Sequence, residues 1–327
     1  MEEAYITETH ILFLLERGIA MSLKHRGPPP TFEQLCEDDY NEKQIFCVNE
    51  MSNNVSVNFE FVSYSPRVFD ELRCLNDVND EFYPGLTDDK IPYIEFASPG
   101  KSGAVFYRKG PYLFKIVLDA ELNKLTSILK NYSEYLHKYP FSMLPHYYGA
   151  YTIKVAGTKL TNFVVTNYLF YKAQLSRIYD LKGSLVGRHV PIKYPGNERE
   201  ALRDCDFLRE EGGIHTEDPK HRETVLNMIR MDTKFLMNHN LMDYSLAVGI
   251  GPPSGAPDTD DMKCWSFVDC VGERYYIGLV DCLTDYTAAK KGETFWNAMR
   301  FKKHTSLALP PVDYRTRFIT FLRGIIR

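Results

Sequence analysis

A chain of 327 residues is long enough for one large two-lobed domain or two ordinary ones, and a hydrophobic share of 44% supplies a sizeable core. The net charge of −4, with 39 Lys and Arg against 43 Asp and Glu, excludes a general grip on nucleic acid and leaves room only for a local anion-binding patch. Seven cysteines, odd in number and without C-x-x-C spacing, exclude a disulfide framework and a structural zinc site and read as reduced, buried thiols of a cytosolic protein.

The opening MEEAYITETH lacks a basic stretch followed by an apolar run, and no later window approaches the ~18 apolar residues of a membrane span, so if the chain meets a membrane it does so from the surface. Residues 9–24 place Ile11, Leu12, Leu15, Ile19 and Leu23 at mainly helical spacing, which predicts an amphipathic first helix whose apolar face packs on the body, the favoured reading, or on a second copy of the chain. VSVNFEF alternates Val55, Val57, Phe59 and Phe61 with polar residues, as a half-buried strand does, and SPRVFDEL then starts a helix with Ser65 as cap and Pro66 at its first position. YIEFASPGKSGAVFYRKGPYLFKIV reads as β-rich runs around SPGKSG, turning again near KGP into a strand that bears Lys115. A helix from about Ala120 to Lys138, and a strand pair YGAYTIKV and LTNFVVTNYL, lead into DLKGS at 180–184.

The second half changes character. DPKHRETVLNMIRMDTKFLMNHNL is a strong helix, with Asp218 as N-cap, Pro219 at its first position and Val225, Met228, Ile229, Phe235 and Leu236 on one face. It leads directly into MDYSLAVGI. Residues 251–263 have loop composition, and WSFVDCVGERYYIGLVDCL is a hairpin turning at Val271-Gly272-Glu273 whose second strand ends at Asp281.

Phosphoryl transfer from ATP asks for backbone amides over the phosphates, a lysine on them, an acid at the nucleophile and an acid on Mg²⁺. Lys115, Asp243 and Asp281 stand where strands deliver side chains to a cleft, yet each alone has an ordinary reading: a snorkelling lysine, or a turn or cap aspartate. SPGKSG fits neither G-x-G-x-x-G nor G-x-x-x-x-G-K-[ST], and the triplets H-R-D and D-F-G of protein kinases are absent.

In this order, however, YDLKGS, MDYSLAVGI, IGLVDCL, SPGKSGAVFY and LFKIV resemble the signatures of the phosphatidylinositol phosphate kinase family, over nearly the whole chain from FEFVSYSPRVF to PVDYRTRF. Ala247 and Cys282 depart from the usual leucine and isoleucine, at apolar positions where packing rather than chemistry is touched. The resemblance implies an α+β, two-lobed lipid-kinase fold distantly similar to protein kinases, with residues 1–166 as N-terminal lobe and 167–327 as C-terminal lobe. It implies ATP and Mg²⁺ as cofactors, and a phosphoinositide in an anionic membrane as partner, met from the cytosolic face by a cytoplasmic protein. A homodimer is left open.

Carried onto this chain, the resemblance puts Ser102 and Gly103 in the phosphate loop, Lys115 on the ATP phosphates with Glu121 as its ion-pair partner, and Asn167 in the hinge facing adenine. Lys182 binds phosphate in the cleft, Asp180 fixes that loop, and Arg188 contacts a phosphate on the lipid. Asp243 orients or deprotonates the inositol hydroxyl, and Asp281, with Asp243, holds Mg²⁺.

Residues 287–304 hold Lys290, Lys291, Arg300, Lys302 and Lys303 against the single acid Glu293, interleaved with Phe295, Trp296 and Phe301, the mixture that enters an anionic lipid interface. The stretch corresponds to the family's specificity loop. Lys290, Lys291 and Glu293 match its 5-kinase members, whereas the 4-kinase branch has alanine at the last position. The resemblance therefore implies a 5-kinase. YRTRF and KSGAVFY are also similar to the larger enzymes that act on phosphatidylinositol 3-phosphate, and the compact stand-alone domain favours phosphatidylinositol 4-phosphate as the expected substrate. Phosphatidylinositol 3-phosphate 5-kinase and phosphatidylinositol 5-phosphate 4-kinase stand as alternatives, and a catalytically dead phosphoinositide-binding scaffold as the rival from another class.

Overall fold

The computed structural model describes residues 8–52, 55–78, 94–97, 105–155, 160–190, 201–216, 218–253, 265–269, 272–287 and 309–327. The fold is α+β, and its chain divides into two compact units: residues 1–138 with 146–168, and residues 139–145 with 169–327.

The first unit is built on a seven-stranded sheet. In chain order its strands are β1 (Lys43–Ser52), β2 (Val55–Tyr64), β3 (Ile94–Ala97), β4 (Val105–Lys109), β5 (Tyr112–Val117), β6 (Tyr147–Val155) and β7 (Thr161–Asn167), arranged β1-β2-β6-β7-β5-β4-β3 with every neighbour antiparallel. Its helices are α1 (Glu8–Lys24), α2 (Glu37–Asn41), α3 (Pro66–Leu75) and α4 (Asp119–Lys138). As the helical spacing predicts, α1 packs inward: Leu12, Leu15 and Ile19 join Phe59, Phe61, Ile153, Phe163 and Val165 in one core. Gly18 permits that approach, because a Cβ there would lie 2.1 Å from the Phe61 ring. Lys109 of β4, nearly buried, donates to Glu16 Oε1 at 2.6 Å and ties the helix to the sheet.

Two expectations change here. Ser65 does precede α3, with Pro66 at its first position, but it has a left-handed backbone (φ +44°) and makes no side-chain cap; its hydroxyl donates to Tyr40 O at 2.7 Å instead. The five described cysteines are thiols, not disulfides, but Cys36, Cys47 and Cys74 are exposed and Cys205 is half-buried, leaving Cys282 as the buried thiol among the described residues. Positions 264 and 270 lie outside those residues.

The second unit carries a five-stranded sheet, β8 (Arg177–Leu181), β9 (Leu202–Arg203), β10 (Ser245–Gly251), β11 (Trp265–Val268) and β12 (Arg274–Val280), in the order β11-β12-β10-β8-β9. Only the short β8–β9 pairing is parallel among the described strands. Helices α5 (Asp204–Glu210), α6 (Pro219–Asn238) and α7 (Pro311–Ile325) complete it. The start of α6 follows its sequence signals: Asp218 Oδ1 accepts the His221 N–H at 2.7 Å and Pro219 occupies the first position. Segment 139–145 belongs with this unit because the fully buried Asp232 of α6 accepts the Met143 N–H at 2.7 Å and the Ser142 hydroxyl at 2.8 Å, while Leu279 of β12 donates to Met143 O at 2.8 Å. Ala247 and Cys282 are both buried, in keeping with packing positions. Among the described residues no helix is long and apolar enough to cross a membrane.

Candidate active site

Three adjacent strands of the second sheet deliver polar side chains at one end. The register pairs Ser245 of β10 with Val280 of β12, and Leu246 with Leu181 of β8. Asp243 stands two residues before β10, Asp281 directly after β12 and Lys182 directly after β8, so all three leave the sheet on the same side. Both aspartates have a left-handed backbone, φ +64° for Asp243 and +58° for Asp281. Aspartate tolerates that region better than most residues because its short side chain can bond locally, and such conformations persist only where the surroundings enforce them.

Lys182 Nζ donates to Asp243 Oδ1 at 2.9 Å and to the Asp243 carbonyl at 2.8 Å, so the ammonium fixes both the side chain and the strained backbone of that residue. The pair is partly exposed, with 15% of the lysine side chain and 30% of the aspartate accessible, and is therefore open to a ligand.

What holds Lys182 in place is a residue that the sequence reading passed over. Asp204, fully buried at the first position of α5, turns Oδ1 onto three successive main-chain amides, those of Gly183 at 2.7 Å, Lys182 at 3.0 Å and Ser184 at 3.3 Å. Its Oδ2 accepts Arg188 Nε at 2.7 Å. The neighbouring Asp206 closes the other side of the loop, accepting the Val190 N–H at 2.9 Å. Acids crowded in RDCDF, directly after a short strand, were the available signal, but nothing local tells that a carboxylate 22 residues after Lys182 reaches its amide.

Arg188 behaves differently from the expected lipid-phosphate contact. It is 7% exposed, and its Nη2 donates to the Asp180 carbonyl and to Asp180 Oδ2 at 2.8 Å, while Nε is taken by Asp204. Burial pulls its guanidinium down, and the carboxylates of Asp180 and Asp204 more than offset this and hold it above its ordinary range. Here Arg188 is a brace between β8 and α5. Asp180, its partner, ends up in the same brace.

Gly183 has two reasons to be glycine: its φ is +67°, and a Cβ would sit 3.0 Å from the Cα of Phe318 on α7. That helix supports the site from behind. Tyr314 donates its hydroxyl to the Tyr244 carbonyl, and the rings of Tyr314 and Phe318 meet Tyr244 edge-on at 4.8 and 5.2 Å. Burial drives the Tyr314 phenol well above its ordinary value. Arg317 reaches the Lys182 carbonyl at 3.3 Å, and its own burial pulls its guanidinium down. Three buried hydroxyls at this end of the sheet, Ser184 Oγ, Ser245 Oγ and Tyr244 Oη, find no partner among the described residues.

In the first unit, Lys115 lies on β5 between β4 and β7, opposite Phe106 and Val164. Glu121 takes another partner than Lys115: its Oε2 accepts the Leu118 N–H at 2.9 Å and caps its own helix. Asn167 ends β7, its Oδ1 accepting the His146 N–H at 2.9 Å and its N–H donating to the His146 carbonyl at 3.1 Å. Ser102, Gly103, Lys290, Lys291 and Glu293 lie outside the described residues.

Two carboxylates at one sheet end are a hard oxygen donor set. They fit Mg²⁺, which is held by one or two carboxylates together with phosphate oxygens and water. Among the described residues no cluster of three or more His, Cys, Asp or Glu that could hold a metal ion is present.

The chain matches the family model described as phosphatidylinositol-4-phosphate 5-kinase over residues 87–269 and 266–325. It is 26% identical over 374 residues to human phosphatidylinositol 5-phosphate 4-kinase type-2 alpha, covering 97% of this chain and 91% of that protein. It is 24% identical over 405 residues to the phosphatidylinositol 4-phosphate 5-kinase its3 of Schizosaccharomyces pombe, covering 99% of this chain and 54% of the other. A phosphatidylinositol 4-phosphate 5-kinase of Plasmodium falciparum is 27% identical over 340 residues, with 85% of this chain and 20% of that protein covered.

Proposed function

We propose, from the premise that the chain belongs to the phosphatidylinositol-4-phosphate 5-kinase family and is an ATP-using phosphatidylinositol phosphate kinase, that it phosphorylates the 5-hydroxyl of phosphatidylinositol 4-phosphate. The observation behind phosphoryl transfer is the Lys182–Asp243 pair at the end of β8 and β10, with Asp281 leaving the adjacent strand. Asp243 spends Oδ1 on Lys182, which leaves Oδ2 to orient the ring hydroxyl and take its proton as the phosphoryl group transfers. The ammonium keeps that carboxylate aimed and supplies positive charge for phosphate oxygens in the cleft. Lys115 neutralises the ATP phosphates, while Asp281 and Asp243 are the groups that would hold Mg²⁺. The ion, when bound, supplies Lewis-acid charge across the phosphates.

The choice of isomer rests on sequence alone: Lys290, Lys291 and Glu293 stand as in 5-kinases. The likeness to a 5-phosphate 4-kinase over 97% of the chain supports a second reading, in which phosphatidylinositol 5-phosphate is the acceptor and the 4-hydroxyl reacts. Both readings put the protein at the cytosolic surface of a membrane, where the headgroup is. The test is incubation of each monophosphorylated phosphoinositide with labelled ATP and identification of the product isomer. Turnover confined to phosphatidylinositol 5-phosphate would replace the first reading by the second, and a protein that binds headgroups without turnover would be a scaffold.

A further inference from the structure

We propose that the loop tip formed by Leu185 and Val186 inserts into the headgroup–acyl boundary of an anionic bilayer and seats the candidate site at the membrane surface. This rests on the reading of the protein as a lipid kinase. The two side chains are 55% and 50% exposed, an apolar pair held in solvent beside the charged cluster that the rest of the site is built from. Scattered single apolar residues on a surface need no explanation, but these two sit in a loop built to present them. Glycines with left-handed backbone bracket the tip, Gly183 at φ +67° and Gly187 at +64°. Its base is pinned by Asp204, on which the amides of Lys182, Gly183 and Ser184 converge, and by Arg188 on the far side. A tip so fixed loses little conformational freedom when it meets a surface.

The tip is tied to α5. The Cys205 thiol donates to the Leu185 carbonyl at 3.3 Å, and Leu208, exposed, lies one turn further along that helix on the same side. His189 and Arg209 are also exposed nearby, but Arg209 is ion-paired with Asp206 and Glu210, so its charge is largely spent within the protein. Insertion rather than attraction to surface charge is then the main grip of this element.

Reach commits the patch to lipid. Leu185 is three residues from Lys182, hence within about 10 Å of it along the chain. The interfacial layer of a bilayer is roughly 5–8 Å thick on each side. An inositol ring held at Lys182 and Asp243 lies in that layer with its acyl chains below, so a tip within this distance has the hydrocarbon boundary in reach. A soluble acceptor would give an exposed Leu-Val pair no work at this position.

The test has a part independent of catalysis. Leu185→Trp should show a blue-shifted emission difference from wild type, and quenching by brominated lipid, on vesicles of phosphatidylcholine and phosphatidylserine. Leu185→Ser with Val186→Ser should lower sedimentation with those vesicles about tenfold. It should lower kcat/KM on vesicle-borne phosphatidylinositol 4-phosphate in parallel, and leave the rate on a short-chain soluble analogue unchanged. Ile45→Ser, an equally exposed apolar residue on β1, should change neither. Unaltered sedimentation, absence of the emission shift, or an equal loss on the soluble analogue would overturn the proposal. So would conversion of a dimer to a monomer by the double substitution, which would assign the patch to a second copy of the chain. A wild-type protein inactive on every lipid in both presentations would refute the kinase reading, while the sedimentation and emission measurements would still judge the tip.

Discussion

Replacing Asp204 by alanine removes one carboxylate that serves four donors: three amides on Oδ1 at 2.7, 3.0 and 3.3 Å, and Arg188 Nε on Oδ2 at 2.7 Å. Gly183, Ser184 and Arg188 are buried, so water reaches their freed donors poorly. Each hydrogen bond to a charged group contributes roughly 1.5–3 kcal/mol, and breaking a buried ion pair costs about 3–5 kcal/mol. The terms do not add, and Arg188 retains Asp180, so the expected loss is about 4 kcal/mol. Against a total stability of roughly 5–15 kcal/mol this is a large share. Asp204→Asn should lose about half as much, because the amide oxygen still accepts the turn's N–H groups while its NH₂ faces a guanidinium donor. Urea unfolding measures both, with a shift in midpoint at constant slope. The same variants should lower kcat on lipid, because the turn that aims Lys182 at Asp243 loses its anchor. A stability change under about 1 kcal/mol for Asp204→Ala, or an unchanged kcat in the folded protein, would refute this account of the turn.

Lys182→Met should lower kcat by about 10²–10³ with little change in KM for ATP, since the charge it removes lies at Asp243 and the acceptor; steady-state kinetics in both substrates separates the two. Lys115→Met and Asp281→Asn should each lower turnover by several powers of ten in a protein that still folds, as checked by circular dichroism beside the activity assay. Asparagine is the suitable replacement because it accepts the left-handed backbone at 281. Stability should also fall as pH rises above about 10. Burial raises the phenols of Tyr148, Tyr151, Tyr179, Tyr244, Tyr275 and Tyr314, that of Tyr151 to about 12. The unfolded chain therefore releases protons that the folded protein keeps, and the slope of stability against pH is negative there. Unfolding midpoints that stay level from pH 9 to pH 11 would contradict the sign. Glu293→Ala should shift the ratio of kcat/KM for phosphatidylinositol 4-phosphate over the 5-phosphate isomer toward the latter, where about 1.4 kcal/mol corresponds to a tenfold change. An unchanged ratio on identical vesicles would remove the support for 5-hydroxyl specificity.

Where the determining interaction lies within one turn of chain, the sequence alone decided the structure. Asp218 caps α6 through an amide three residues on, Pro219 begins it, and Gly110-Pro111 turns β4 into β5, because side chain, backbone dihedral and hydrogen bond all belong to neighbouring residues. The alternation in β2 and the helical spacing in α1 were legible for the same reason, since each follows from the period of one element. The places of Lys182, Asp243 and Asp281 beside strand ends could likewise be read from the sequence, and the resemblance of the segments in their order singled these residues out. Partners were another matter. Lys182 meets Asp243 across 61 residues, Arg188 meets Asp204 across 16, and Ser65 gives its hydroxyl to Tyr40 across 25 rather than capping the helix it precedes. Glu121 had two local options, the lysine on the preceding strand or the amide at its own helix start, and in the folded chain it takes the amide. Only the sheet register brings the ends of β8, β10 and β12 side by side, and only the closure of α5 on that end converts Arg188 from a free cation into a brace. A lone guanidinium or carboxylate is costly to bury, so once the fold excludes water from Arg188 and Asp204, these two must find partners in the protein, which they do in each other and, for Arg188, in the partly exposed Asp180.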